Sequence, residues 1–309
     1  MSQDYIIDIQ NLTKVYGSEE VLSSISLKIS RGEIFTLLGS DSSGKTSLIE
    51  ILEGLRKATS GEAFVLGFNI KSKIEMREIK KKIGALPQEF NTHNNLTVKE
   101  NIMFWGKMYD QMVNPQDLMQ MLKLEDVANK RYKNISNTNK RKVGIATALV
   151  SDPEIIFLDE PTAGLDYYIK KEIWEILLEL KKQGKTIVLT SNDVLEPQAI
   201  ADRVAILHQG IIKDIGSPRE LIERYSSEKK FIIRCPNKDT TQDAIKALEE
   251  IEVTEIETGD LTVSSDEITL LELLEKLEKF NVKYSDIITQ SPSLNDAFLS
   301  LTGVSLRNQ

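Results

Sequence analysis

Residues 34–48 read IFTLLGSDSSGKTSL. An apolar, β-prone run from Ile34 to Leu38 stops at Gly39. Four small residues follow, Ser40, Asp41, Ser42 and Ser43, then Gly44-Lys45-Thr46. Ser47 opens a helix-like run that the pattern carries to about Leu55. The spacing fits G-x-x-x-x-G-K-[ST] set between a strand and a helix. Such a loop turns a row of backbone N–H groups into one concavity, and the helix N-terminus adds partial positive charge. That is a cradle for a triphosphate. In this reading Lys45 reaches the β- and γ-phosphates and the Thr46 hydroxyl is a ligand for Mg²⁺.

The whole chain bounds the reading. Its 309 residues suffice for about two domains. A net charge of -8 counts against a non-specific nucleic-acid binder, which would be basic. The single cysteine, Cys235, excludes an internal disulfide framework and suits a reducing compartment. The N-terminus, MSQDYIIDIQ, has neither a basic nor an apolar leader region. No run approaches the roughly 18 apolar residues of a membrane-spanning helix, so a membrane role is expected to come through a partner.

Residues 5–38 alternate apolar and polar and predict strands separated by turns at Gly17-Ser18 and Arg31-Gly32. Tyr16 stands before the first turn. Its ring can stack on an adenine or be a half-buried strand residue. SGEAFVLG (60–67) reads as a strand, residues 74–82 as a charged helix, and IGALPQEF (83–90) as a short strand broken at Pro87. Gln88 can offer its amide oxygen to Mg²⁺ or be an ordinary polar loop residue. Residues 91–133 are mostly helical in pattern, with Asn95 and Thr97 as N-cap choices. Ile102, Met103, Trp105 and Met108 form a face that either packs inward or docks another helix.

NISNTNKRKVGIATALVSDPEIIFLDEPTAGLD (134–166) is the second informative stretch. Asn134 to Asn139 reads as a turn, Lys140 to Val150 as a helix, and IIFL as a buried strand delivering Asp159 and Glu160 at its C-terminal end. Ligands bind at that edge of open α/β sheets. An apolar strand ending in Asp holds the Mg²⁺ of a phosphate-binding loop, and a neighbouring Glu can act as general base for a water. Adjacent residues on a strand point to opposite faces, so the two carboxylates have different roles. Then come an amphipathic helix over 167–183, the strand TIVLTS (186–191), a helix from about 193 and a hairpin turning at Gln209-Gly210. The alternation predicts an α/β domain with a largely parallel core sheet. After a short helix to about Tyr225, the polar run Ser226 to Lys230 reads as a linker. An α+β region follows, in which no cluster of catalytic groups is seen: FIIRC, DAIKALEEI, VTEIET, LTVSS after Gly259-Asp260, TLLELLEKLEKF, KYSDIIT and SLNDAFLSLTG.

Taken together, Tyr16, the loop 39–47, Gln88, Asp159-Glu160-Pro161-Thr162 and Gly164-Leu165-Asp166 fall in the order of the nucleotide-binding subunits of ABC transporters, which residues 4–225 resemble. The tail, with its terminal SLNDAFLSLTG, is similar to the appendage of drug- and antibiotic-exporter ATPases. The resemblance implies an α/β, ABC-type P-loop ATPase domain over 1–225, with a mixed sheet of parallel core, an antiparallel β subdomain and a helical subdomain at about 90–150. A small α+β domain over 226–309 follows. It implies ATP and Mg²⁺ as cofactors, bound by Tyr16, Gly39, Ser40, Asp41, Ser42, Ser43, Gly44, Lys45, Thr46 and Ser47, with Thr46, Gln88 and Asp159 around the metal and Glu160 as base. It further implies a head-to-tail dimer, a homodimer or a heterodimer, in which Asp166 and a signature loop at Ser136-Asn137-Thr138-Asn139 meet the other subunit. ATP-driven closure would move polytopic membrane subunits docked near Gln88 and residues 90–108, with the chain peripheral on the cytoplasmic face and no nucleic-acid partner.

Three places depart from the family pattern. The signature, normally Leu-Ser-Gly-Gly and then Gln or Met, is Ile135-Ser136-Asn137-Thr138-Asn139 without glycine. Asn192 stands at the switch-histidine position, and in the loop Asp41 replaces a usual asparagine and Ser42 a usual glycine. Glycine admits positive φ and close approach, whereas β-branched Thr138 resists it. Asn192 donates one hydrogen bond but carries no charge. ATP binding is therefore expected, with slow or asymmetric hydrolysis. The alternatives are an ATP-binding regulatory module with little turnover, favoured by Asn137, Thr138 and Asn192, and a soluble, non-transport ABC protein. Restoring glycines at 137 and 138 and histidine at 192 is expected to raise turnover.

Overall fold

The computed structural model describes residues 5–226, 229–248, 253–255, 260–265 and 268–306. A six-stranded sheet runs in the order Ile211–Gly216, Arg203–His208, Ile34–Leu38, Thr186–Ser191, Ile155–Leu158, Ile83–Leu86. The last five strands pair in parallel, and only the edge hairpin is antiparallel. That hairpin turns on Gln209 and Gly210, both at positive φ (50 and 74).

The three central strands are buried at every residue, because covered parallel strands have no solvent face. Side chains alternate across them with period two. Phe35, Leu37, Ile155, Phe157 and Val188 enter one core, while Ile34, Ile156, Leu158, Ile187 and Leu189 enter the other. The first core is filled by the helix Lys45–Leu52 and by an antiparallel sheet ordered Glu19–Ser30, Tyr5–Tyr16, Ser60–Val65, Phe68–Asn69. The second is filled from the helices Asn137–Leu149 and Tyr167–Lys182 through Val143, Ile145, Ile173 and Leu177. Each such side chain stabilises the sheet's position by about 1.5–3 kcal/mol. The strand ends that carry the polar loops are thereby held on both faces.

Several boundaries differ from the sequence reading. The helix after the phosphate loop ends at Leu52, since Gly54 takes φ 70. Between residues 91 and 133 the helices are Val98–Gly106 and Pro115–Met121, with 3₁₀ turns at Glu125–Val127 and Tyr132–Asn134. Thr97 is the N-cap of the first, in a capping box with Glu100. Ile102 is buried in the core, and the Trp105 indole donates to Thr92 Oγ1 at 2.9 Å, whereas Met108 lies beyond the helix and is exposed.

The chain divides into two compact units, the second spanning Arg219–Ser305 and so starting ahead of the composition change after Tyr225, while Leu306 belongs with the first. The second unit has an antiparallel sheet ordered Val253–Glu255, Leu261–Ser265, Lys229–Arg234, Asp286–Gln290. Helices span Lys238–Ala247, Leu270–Lys279 and Leu294–Thr302. Its own core is built from Phe231, Ile233, Leu248, Leu261, Val263, Leu273 and Leu277. Residues 227 and 228 of the expected linker, 249–251 at the end of the expected helix, and 256–259 of the expected strand and turn lie outside the described residues.

Candidate nucleotide site

The parallel register brings distant loops to one edge. Leu38 pairs with Ser191, Leu158 with Leu189, and Leu86 with Leu158. The residues just beyond those ends, Gly39, Asp159, Gln88 and Asn192, therefore emerge as neighbours. Gly39 N donates to Ser191 O at 3.1 Å and Asp159 N to Leu86 O at 2.9 Å, which locks the loop starts together.

A cavity of about 330 Å³ opens there, lined by Glu19, Val21, Asp41 to Ser47, Gln88 and Glu160. The two loop glycines are required by space. A Cβ on Gly39 would stand 2.4 Å from Leu207 O, and one on Gly44, which holds φ 106, would stand 2.7 Å from Leu22 Cδ2. Ser42 has φ 60, the left-handed region that glycine takes without cost. Lys45 is buried and donates to Gly39 O at 2.8 Å and Ser40 O at 2.9 Å. Its Nζ lies 3.9 Å from Glu160 Oε1. Burial lowers its pKa, and the charges of Glu160, Asp41 and Asp159 pull it back up.

Glu160 is held in a strained left-handed conformation, φ 47. Its backbone N–H donates to Thr190 Oγ1 at 2.9 Å, and that hydroxyl donates to Asp159 Oδ1 at 2.5 Å. Gln88 Nε2 donates to Glu160 Oε2 at 3.0 Å. The two carboxylates thus diverge, Asp159 toward Thr190 and Glu160 toward Lys45 and Gln88. Desolvation raises the Glu160 pKa, Lys45 opposes this, and Asp159 and Asp41 add to it. A carboxylate of raised pKa beside the cavity is suited to accept a proton from water.

Tyr16 reaches the loop through its hydroxyl, 3.3 Å from Ser47 Oγ, and Lys14 Nζ stands 4.4 Å from its ring centroid. Asn192 reaches it through Asp41. The four signature residues do not line the cavity. Ser136 is an N-cap, its Oγ accepting from Asn139 N at 3.2 Å, and the helix begins at Asn137 rather than Lys140. Neither Asn137 nor Thr138 takes positive φ. The dihedral cost expected of Thr138 is therefore absent, and what the two side chains impose on the first helical turn is bulk. Asp166 caps the next helix, accepting from Tyr168 N and Ile169 N at 3.1 Å each.

Three residues of this region carry no motif of their own. Thr190 ties the Asp159 carboxylate to the Glu160 backbone N–H. Arg141 donates to the carbonyls of Pro161 at 2.8 Å, Gln88 at 3.0 Å, Pro87 at 3.3 Å and Asp159 at 2.7 Å, and also to Glu160 O. Glu196 is buried, with Thr162 Oγ1 donating to it at 2.8 Å and Trp174 Nε1 at 3.2 Å. For Arg141 the signal was weak, since it stands between Lys140 and Lys142 in the run directly after the signature position.

The model of the "ABC transporter" family matches residues 22–163. The linearmycin resistance ATP-binding protein LnrL of Bacillus subtilis is 30% identical over 313 residues, covering 98% of this chain and 100% of that one. The chain belongs to the ABC transporter ATP-binding proteins. The Nod factor export ATP-binding protein I of Rhizobium meliloti is 31% identical over 98% of this chain and 89% of its own length. Among solved structures, a dimeric ATP-binding cassette in a post-hydrolysis state bound to ADP and Pi superposes with a TM-score of 0.63 at 27% identity, over 68% of this chain and 98% of that one. This ABC protein is an ATPase subunit of P-loop α/β fold. No described helix is long and apolar enough to cross a membrane.

Proposed function

We propose that this ABC protein is the Mg-ATP-driven half of an exporter whose hydrolysis at a given site is limited by the signature loop supplied from the other ATPase subunit. The observation that carries the proposal is a contrast within one chain. Lys45, Gln88, Glu160 and Thr190 form a connected cluster around the cavity. The signature helix instead begins with Asn137 and Thr138, at the positions that the family resemblance turns toward a partner's terminal phosphate.

The metal fits the donors present. Thr46, Asp159 and Gln88 offer hydroxyl, carboxylate and amide oxygens, the hard ligands Mg²⁺ takes. Asp41, Asp159 and Glu160 also outnumber Lys45, so the nucleotide's charge needs a cation. With ATP bound, Lys45 holds the terminal phosphates, the loop N–H groups orient them, Gln88 and Thr190 fix Glu160, and Glu160 takes the proton of the attacking water. A bound Mg²⁺, held by Thr46, Asp159 and Gln88, would supply positive charge against the phosphates. The relatives named for linearmycin resistance and Nod factor export support an exporter role, coupled through membrane subunits at the membrane's cytoplasmic face.

The test is complementation in trans. A Lys45→Ala, Asn137→Gly, Thr138→Gly chain has no site of its own but offers a glycine signature. Mixed with wild-type chain, it is expected to raise phosphate release above either protein alone. Unchanged release on mixing would overturn the head-to-tail arrangement limited by bulk. Unaltered Mg-ATP affinity in a folded Lys45→Ala chain would overturn the site itself.

A further inference from the structure

Two of the departures from the family pattern, Asp41 and Asn192, lie 151 residues apart and touch: Asn192 Nδ2 donates to Asp41 Oδ1 at 3.2 Å. The contact follows from the register. Asp41 comes just after Leu38 and Asn192 just after Ser191, and those strand ends are paired. A carboxylate only accepts hydrogen bonds, so it selects one of the two orientations of the amide. The NH₂ group is turned to the loop and the carbonyl oxygen away. One Nδ2 hydrogen is used on Asp41, which itself lines the phosphate cavity, and the second remains to be donated.

We propose that Asp41 is the positioning residue for Asn192, holding the amide so that its free N–H is aimed at the terminal phosphate of ATP. The inference rests on the cavity being the ATP site. The pair replaces a charged donor by a neutral one whose direction is set from the loop. No proton is moved. The same carboxylate stands beside the phosphates, where its charge opposes nucleotide binding, and it draws on Lys45, whose pKa it raises. Asp41 therefore acts with opposite sign on affinity and on rate. It weakens the hold on ATP while ordering a group that serves the transition state. A residue that merely supported the loop would move both in the same direction. The pairing also bears on histidine at 192. Beside Asp41 an imidazolium is drawn into an ion pair with the carboxylate, so Asn192→His gains its full effect only together with Asp41→Asn.

The experiment uses the full chain and its Asp41→Ala, Asn192→Ala and double variants. Mg-ATP affinity is measured by equilibrium dialysis and hydrolysis in single turnover with protein in excess. The Asn192 side-chain amide is followed by ¹H–¹⁵N correlation, its signals identified by their loss in Asn192→Ala. Asp41→Ala is expected to bind Mg-ATP as tightly as wild type or more tightly, and to hydrolyse it about 10- to 100-fold more slowly, as for a misplaced reacting group. Asn192→Ala loses up to about 10²–10³-fold, the cost of a preorganised donor, and adding Asp41→Ala to it costs nothing further. The amide signals of Asn192 shift in Asp41→Ala. Independent, multiplying losses in the double variant, or amide signals that ignore Asp41→Ala, would overturn the pairing. Failure of every protein, wild type included, to bind Mg-ATP would instead overturn the ATP site, and the amide shift would still report the pair.

Discussion

Glu196 offers a test of how the switch segment is anchored. The residue is 1% exposed. Burial pushes its pKa up from the ordinary 4.5 to about 7, hydrogen bonds from Thr162, Trp174 and Ser191 hold it partly down, and the charge of Asp193 adds to the rise. Because the folded value exceeds the unfolded one, the folded protein holds this proton more tightly. The resulting stabilisation is complete below the unfolded pKa and is lost as pH rises through about 7. A shift of that size corresponds to about 3 kcal/mol across the full range. About 1 kcal/mol of it falls between about pH 6 and pH 8. Glu196→Gln removes the titration and keeps the shape. Its amide oxygen can accept from Thr162 and Trp174 as the carboxylate does. Urea unfolding at the two pH values is the assay. The wild type is expected to lose about 1 kcal/mol relative to Glu196→Gln on going to the higher pH. Parallel stability curves for the two proteins would refute the reasoning, since they would mean that Glu196 ionises in the folded chain as freely as in the unfolded one.

Glu160→Gln is expected to keep Mg-ATP binding and to lower single-turnover hydrolysis by about 10²–10⁴-fold, the usual worth of a general base; an unchanged rate would move that role elsewhere. Ser42→Gly relieves a left-handed serine at φ 60, so the urea midpoint is expected to rise by the equivalent of about 1 kcal/mol, and no rise would show that the serine's own contacts offset the strain.

What the sequence made legible was whatever is local. The phosphate loop is a contiguous pattern, so Gly39 and Gly44 could be read directly, although the atoms that demand them come from Leu207 and Leu22. Asp159 and Glu160 were legible because a buried strand ends beside them. Residues that act through register were not. Thr190 looks like any strand threonine until Leu158 is paired with Leu189. Glu196 looks like a surface helix glutamate until Thr162 and Trp174 close over it. The signature segment misled in a different way. Its three polar residues, Asn137, Thr138 and Asn139, have turn-like composition, but Ser136 caps them into the first helical turn, and the cap outweighed the propensity. The contact between Asp41 and Asn192 could not be read at all, because each residue by itself is only a departure from a pattern.

Arg141 has a consequence for how such a sequence can drift. Its guanidinium grips the main-chain carbonyls of Pro87, Gln88, Asp159, Glu160 and Pro161. Carbonyl oxygens are common to all residue types, so this fastening is indifferent to which side chains the five positions carry. It also lies one turn into the helix, past the signature residues themselves. The glycines of the signature could thus be exchanged for Asn137 and Thr138 over successive generations without loosening the joint between that helix and the site beside it. The frame tolerates the spelling of its motifs, and the architecture that carries them stays whole when that spelling changes.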